Sequence, residues 1–415
     1  MIAIFTKDLT ERLRYVLDFC FESKGCPYKV ISDLKEWEIL EDTKFNYSNE
    51  ILDCDYAIDP SGLLSEEGVD PFLKLDKKDN RLYLRESADP LSIIFYIISR
   101  YEEYQPHKRD EHNRFPSSES QQFKLGILKE PIADDIVLRL WKKLGLDYSD
   151  VLERFECVPS FDIDVAWAYK FKGFLRTVGG FSKGKVGERL GVLVGGKKDP
   201  YDTYGEILNI STQVNRVICF VPVSDWGKYD KNIKWENPHY QSLIRGLNST
   251  GGMGLHPGYE ANGSLEKLTE EKDRLEQIVG HEMNKSRFHF LRFDLPNSYE
   301  LLREADIHKD YSMGFSDNIG FRAGTSFPYY FFNLSTNAYT NLLIFPFAYM
   351  DGVLKDKLKL APEEAEHEIR EMMDRVKKVG GLYMCIWHNS SITDRDEWEG
   401  WLQVLRNTIK WSLEK

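Results

Sequence analysis

Apolar positions follow two different rhythms along the chain. Near the start, "IAIF" from Ile2 reads as a short buried strand. "LTERLRYVLDFCFES" repeats its apolar residues every three or four positions, as one face of a helix does. "YKVIS", "DYAID" and "RLYLRES" are further short strands, and "PLSIIFYIISRYEEYQ" is a strongly apolar helix. The polar, serine-rich "QPHKRDEHNRFPSSESQQ" is a long loop, and "PIADDIVLRLWKKLGLD" is a helix leading out of the unit. These elements predict a small α/β domain over residues 1–150. Arg100, Glu102, Glu103 and His107 form its densest polar cluster, which reads better as a charged helix end at a domain interface than as a site.

From about Phe155 the pattern changes to short apolar runs alternating with amphipathic helices. The runs are "CVPSFDID", "RVICFVPV", "GGMGLH", "HFLRF", "YSMGF", "LLIFPFAY" and "LYMCIWH". The clearest helix is "APEEAEHEIREMMDRVKKVGG", with Pro362 near its first position, acids in its first turn and a Gly380-Gly381 stop. Such alternation predicts a parallel α/β sheet over residues 151–415, open or closed into a barrel.

Acids interrupt the first of these strands. Side chains alternate along a strand, so Ser160, Asp162 and Asp164 face one way, successive pairs about 6.6 Å apart, and Phe161, Ile163 and Val165 the other. Two carboxylates on one buried face repel each other and are costly to desolvate. A cation between them, or a shared proton that makes one a general base, removes that cost. The competing reading ends the strand early and lets both acids cap the next helix in solvent. His256 and His388 each end another apolar run, and neutral imidazole with carboxylate is a common divalent-metal set. "SRFHFLRFDLP" adds His289 and Arg292, which face opposite ways on a regular strand. "DYSMGFSDNIGFRAGTSFPY" adds Asp310 and Arg322.

Composition narrows the classes. The chain has 415 residues, enough for two or three domains, and a net charge of -12. That charge disfavours nucleic acid and anionic lipid as partners. Its six cysteines include no C-x-x-C pair and mostly lie in apolar runs, so they read as reduced core residues. No run approaches the roughly 18 apolar residues of a membrane span, and the N-terminus carries no export pattern, so a cytoplasmic protein is expected.

The order of these polar clusters resembles the polysaccharide deacetylases, the NodB-type domain of carbohydrate esterase family four. "SFDID" is similar to the family's T-F-D-D motif, His256 to its H-S/T-x-x-H motif, "LRFDLP" to its Arg-Pro-aromatic motif, "HKDYSMGF" loosely to its fourth, and "IWH" to L-x-H. The resemblance covers residues 155–415 and implies an irregular (β/α) barrel preceded by a small α/β domain. It extends to a subgroup whose N-terminal domain carries "SRYEEY" and "DEHNRF". It implies a metal-dependent carbohydrate N-deacetylase with one divalent ion, zinc by the family pattern. Asp162 would be the general base, His388 the general acid and Arg292 the residue orienting Asp162. Asp164 and His256 would be metal ligands. The chain departs from the pattern by one residue inserted between the aspartates and by Glu260 where the second metal histidine belongs. Glu260 or His289 completes the metal set, and the imidazole of His289 fits better. Tyr259, Arg322 and Trp387 are candidates to line a sugar groove, with core packing the competing role for Trp387.

Rival readings share the D-x-D pattern. Nucleotide-sugar glycosyltransferases need no histidine-rich rim, and haloacid-dehalogenase-type phosphatases carry a Thr or Val motif after their D-x-D and a Lys-acid motif downstream, to which the mid-chain "DIDVAWA" is only a partial match. A non-catalytic carbohydrate-binding relic of the deacetylase fold would lack metal. The expected substrate is an N-acetylated sugar or polysaccharide precursor, such as a nucleotide-linked or lipid-linked sugar.

Overall fold

The computed structural model describes residues 1–173, 185–249 and 251–414. Two main parallel sheets organise the chain. In the first, β1 (Ile2–Phe5), β2 (Tyr28–Ile31), β3 (Thr43–Tyr47) and β4 (Tyr56–Ile58) lie in the order β2-β1-β3-β4. Period-two alternation sends Ile2 and Ile4 into the main core, while Ala3 and Phe5 pack on Trp37. The short β5 (Leu75–Lys78) and β6 (Arg81–Leu84) form a hairpin whose Asp79 and Asn80 both have positive φ, the requirement of a two-residue primed turn. The expected strands at "IAIF", "YKVIS", "DYAID" and "RLYLRES" all form; β3 and β5 are additional.

The second sheet has nine strands: β7 (Glu156–Asp162), β8 (Ile218–Val221), β9 (Met253–Leu255), β10 (Lys285–Ser286), β11 (Lys309–Asp310), β12 (Tyr329–Asn333), β13 (Ala338–Ile344), β14 (Tyr349–Met350) and β15 (Leu382–His388). Their order is β12-β13-β11-β10-β9-β8-β7-β15-β14, and only β12 runs antiparallel to its neighbour. The ladder does not close into a barrel among the described residues, because no hydrogen-bonded pairing joins β12 to β14.

The sheet is nevertheless strongly curled. In a flat sheet, seven strand steps of about 4.8 Å would place β13 and β14 roughly 34 Å apart. Only residues 345–348 join them, a reach of about 19 Å at most. That segment bonds to both ends of the sheet: Phe345 and Phe347 donate to Asp310 and Met313, and Ala348 donates to Met384. The curl separates two buried faces. Val158, Ile218, Phe220, Met384 and Ile386 form an inner cluster, while Phe161, Cys219, Tyr383, Cys385 and Trp387 face the outer core.

Two sequence expectations shift here. "HFLRF" and "YSMGF" are not strands; β10 and β11 end earlier, at Ser286 and Asp310, and irregular chain follows. The helix at Pro362–Lys377 forms as read, with Glu364 Oε2 accepting from the Ala361 amide 2.8 Å away. The main buried cluster is continuous across the 150 boundary, running from Ile2 to Ile409. Four of the six cysteines are buried and all are free. Among the described residues, no helix is long and apolar enough to cross a membrane.

A buried ionic cluster joins the two halves. Arg322 makes a two-pronged contact with Glu103, at 2.8 and 2.6 Å, and Arg100 donates to Glu103 at 2.8 Å and Glu102 at 2.7 Å. Arg100 also donates to the Arg322 carbonyl. The interface reading of "SRYEEY" is the one the geometry supports. The same contacts take Arg322 out of the proposed sugar groove: it is 2% exposed, with its guanidinium spent on Glu103 and on the Gly314 carbonyl.

Candidate active site

The polar groups meet where the parallel strands of the curled sheet end. β7 carries Ser160 and Asp162 on its inner face, as alternation requires, and stops at Asp162. Asp164 lies two residues beyond, at the same rim. β15 pairs with β7 so that His388 sits opposite Asp162. His256 follows β9 directly, and its amide still bonds to Val221. His289 stands three residues after β10, in a short turn where Phe290 and Leu291 take positive φ.

Asp164 is the hub. One of its oxygens is 3.1 Å from His256 Nε2; the other is 3.5 Å from His289 Nε2 and 3.6 Å from His388 Nε2. Each imidazole is fixed from behind through Nδ1. His256 Nδ1 is 2.6 Å from the Arg287 carbonyl, which accepts its proton. His289 Nδ1 is 2.9 Å from Asp230, and His388 Nδ1 is 2.7 Å from Asp351. These contacts turn all three Nε2 atoms toward the cavity, which is how metal-binding imidazoles are usually oriented. Asp230 is itself held by the Tyr259 amide, and Asp351 accepts from Ser391 and the His388 amide.

The electrostatics favour positive charge. Burial opposes a charge on His388, yet Asp351 and Asp164 raise its pKa to about 10. Burial likewise opposes a charge on His289, and Asp164 and Asp230 raise it to about 10. Burial pushes Asp164 up, but His289, His388 and His256 together hold it well below the usual carboxylate range. A cavity that protonates two buried imidazoles is one where a cation substitutes well for those protons.

The donor set fits a divalent ion. Asp164, His256 and His289 each offer one ligand atom, all within 4.8 Å of one another. Ligands about 2.1 Å from a tetrahedral zinc lie about 3.4 Å apart, and the two Asp164 oxygens stand 3.1 Å from His256 (Oδ1) and 3.5 Å from His289 (Oδ2). Glu260 is exposed and outside this set, so the geometry favours His289 over it.

Asp162 faces the same cavity and pairs with a different arginine than the sequence motif implied. Arg287 Nη1 donates to Asp162 Oδ1 at 2.7 Å and its Nη2 to Ser160 at 2.8 Å, while Nε donates to the Tyr311 carbonyl. The guanidinium is fully buried over the Phe220 ring. Arg292 instead donates to the Tyr259 and Asn262 carbonyls. The reason is the early end of β10: the chain turns at His289, so Arg287 stays on the inner face and Arg292 leaves it.

The remaining candidates also move. Trp387 is one residue before His388 and so faces the outer core, where it is fully buried and donates to Tyr349. Tyr259 stands behind the cavity wall, its hydroxyl 3.1 Å from His112 Nδ1. Asp310 is a buried support for Ser312 and Tyr299, its pKa raised by burial to about 6. Sequence reasoning missed Arg287, Asp230 and Asp351. Asp351 follows a short apolar run, the same signal that exposed Asp162; Asp230 lies in a polar loop that carries no signal.

The family model for a "Family of unknown function (DUF7033)" matches residues 2–149. Among solved structures, the chain is similar to a protein described as a polysaccharide deacetylase from Mycobacterium smegmatis, at 15% identity and TM-score 0.40, covering 62% of this chain and 85% of that one. It is similar to the Puue allantoinase at 14% identity and TM-score 0.41, covering 64% and 86%. A second protein described as a polysaccharide deacetylase, from Pseudomonas aeruginosa PAO1, matches at 13% identity and TM-score 0.40, covering 63% and 85%. A comparison with curated proteins found no significant match.

Proposed function

We propose that the chain is a divalent-metal-dependent hydrolase that removes the acetyl group from an N-acetylated sugar or polysaccharide precursor. On this reading it is a deacetylase of the NodB type, with residues 151–415 as the hydrolytic domain and residues 1–150 as an added domain. The observation that carries the reading is the placement of two different acid–base groups beside one cation cage: Asp162 backed by Arg287, and His388 backed by Asp351.

Asp164, His256 and His289 would hold the ion. When bound, it supplies Lewis acidity at an amide carbonyl and lowers the pKa of a water beside it. Asp162 accepts the proton of the attacking water; the buried Arg287 bonds one carboxylate oxygen and leaves the other free toward the cavity. His388 presents a proton on Nε2 to the departing amine, and Asp351 both fixes that tautomer and stabilises the imidazolium. A D-x-D glycosyltransferase would use both aspartates on the ion, whereas Asp162 here is committed to Arg287.

The zinc-loaded chain is expected to release acetate from N-acetylglucosamine oligomers or from a nucleotide-linked N-acetyl sugar. Enzymatic acetate assay on both kinds of substrate checks this. No release from either, with metal in place, contradicts the reading.

A further inference from the structure

The loop at residues 110–115 belongs to the N-terminal half, yet it builds one wall of the cavity above the metal-type cluster. That cavity is about 360 Å³ and is lined by Glu111, His112 and Arg114 together with Asp162, Phe290 and His388. We propose that this loop is part of the substrate-recognition surface, with His112 and Phe290 forming the face on which a pyranose ring packs. The inference rests on the deacetylase reading and assigns to the N-terminal half a share in specificity.

The loop is built to hold its shape. Asp110 Oδ1 accepts from the amides of His112 and Arg114, both at 2.9 Å, and Oδ2 accepts from Arg114 Nε at 2.7 Å. The Asp110 amide donates to the Arg114 carbonyl, closing the loop on itself. Arg114 Nη1 then reaches across to the other half and donates to the Phe290 carbonyl at 2.7 Å. A rigid wall loses little entropy when a ligand arrives.

Phe290 is placed at a cost. Its φ of 61° and the 50° of Leu291 put two large residues in the left-handed region, which L side chains rarely adopt. Left-handed backbone at bulky residues persists where surrounding contacts over-determine it, and it concentrates at ligand sites. Here the Arg114 contact and the His289 amide bond to Pro257 hold the turn. The result is a residue 37% exposed at the cavity edge, its ring 4.6 Å from the His289 ring. The His112 ring lies 5.2 Å from it, and Tyr229 and Tyr259, stacked 4.1 Å apart, brace both from behind. The ring stands at the rim of the cavity, where a ligand would bury its exposed part. A pyranose has a face of C–H groups that packs on an aromatic ring by burial and dispersion, while its hydroxyls remain free for the polar rim.

The test uses the full chain loaded with zinc. In an Asp162→Asn background, which stops turnover, N,N′-diacetylchitobiose is titrated calorimetrically against His112→Ala and Phe290→Gly. Each is expected to weaken binding about tenfold. In the otherwise native chain, each is expected to raise KM for the same sugar about tenfold, with the larger change in KM than in kcat. Glycine relieves the φ of 61° but also loses the ring's packing, so the role in recognition is separated from a structural one by Phe290→Tyr, which keeps the aromatic face and is expected to retain the parent affinity. Unchanged affinity in both His112→Ala and Phe290→Gly, while the parent binds the sugar, overturns the recognition wall and leaves the deacetylase reading standing. No binding of this sugar to the zinc-loaded parent overturns the recognition wall for it, while the deacetylase reading is overturned only if the acetate assay also fails with the nucleotide-linked sugar.

Discussion

On the proposed mechanism, Asp162→Asn is expected to abolish acetate release almost completely while leaving the metal content unchanged. The substitution keeps the shape of the side chain and an oxygen for Arg287 to bond, 2.7 Å away in the native protein. It removes the one property the proposed mechanism needs, a carboxylate that accepts a proton. General-base catalysis of this kind contributes about a hundredfold to ten-thousandfold, and the loss is expected to appear in kcat rather than KM. Asp162 is outside the Asp164, His256 and His289 ligand set, so metal content is expected to match the native chain. Steady-state kinetics and metal analysis on the same preparation check both halves. Retained turnover would move the base elsewhere in the cavity.

Glu103→Ala is expected to be the most damaging single change outside the site. It leaves Arg322 buried without its carboxylate and Arg100 with Glu102 alone, and stranding buried charge in this way costs about 3–5 kcal/mol. Adding Arg322→Met to Glu103→Ala removes one stranded charge and is expected to recover part of the loss. Equilibrium urea denaturation measures both. The pH dependence has a definite sign. Burial pushes the Glu103 carboxyl up, but Arg322 and Arg100 outweigh it and hold the pKa at about 2. The folded value is below the unfolded value of about 4.3, so the contribution of Glu103 is complete above that pH and is lost as pH falls toward 2. The native chain should therefore lose stability on acidification through this range more steeply than the Glu103→Ala variant.

The parts of this molecule legible in the sequence were those set by local periodicity. β7 could be read from "CVPSFDID" because two acids inside an apolar run are too costly to bury without a compensating charge or proton. β15 could be read from "LYMCIWH" because a histidine ends it. His256 and His289 could be nominated as imidazoles near strand ends. What periodicity could not supply was where a strand stops. The resemblance of "LRFDLP" to the family motif nominated Arg292; the two-residue β10 places Arg287 at the site instead. Pairing across distant chain was invisible for the same reason. Nothing local marks Asp230 as the partner of His289, or Glu103 as the partner of Arg322, and the curl of the second sheet follows only once strand order is known. The 110–115 loop reads as a polar connection; its position above the cavity depends on how the two halves pack.

The most direct test of the central claim, that Asp164, His256 and His289 form a divalent-metal site, is elemental analysis of the purified full chain. Native protein would be measured beside Asp164→Ala, His256→Ala, His289→Ala and Glu260→Ala. The account predicts about one equivalent of a divalent ion such as zinc in the native chain and in Glu260→Ala, and its loss in the other three. A native chain that holds no metal after reloading, or a His289→Ala variant that holds it as well as the native chain, would contradict it.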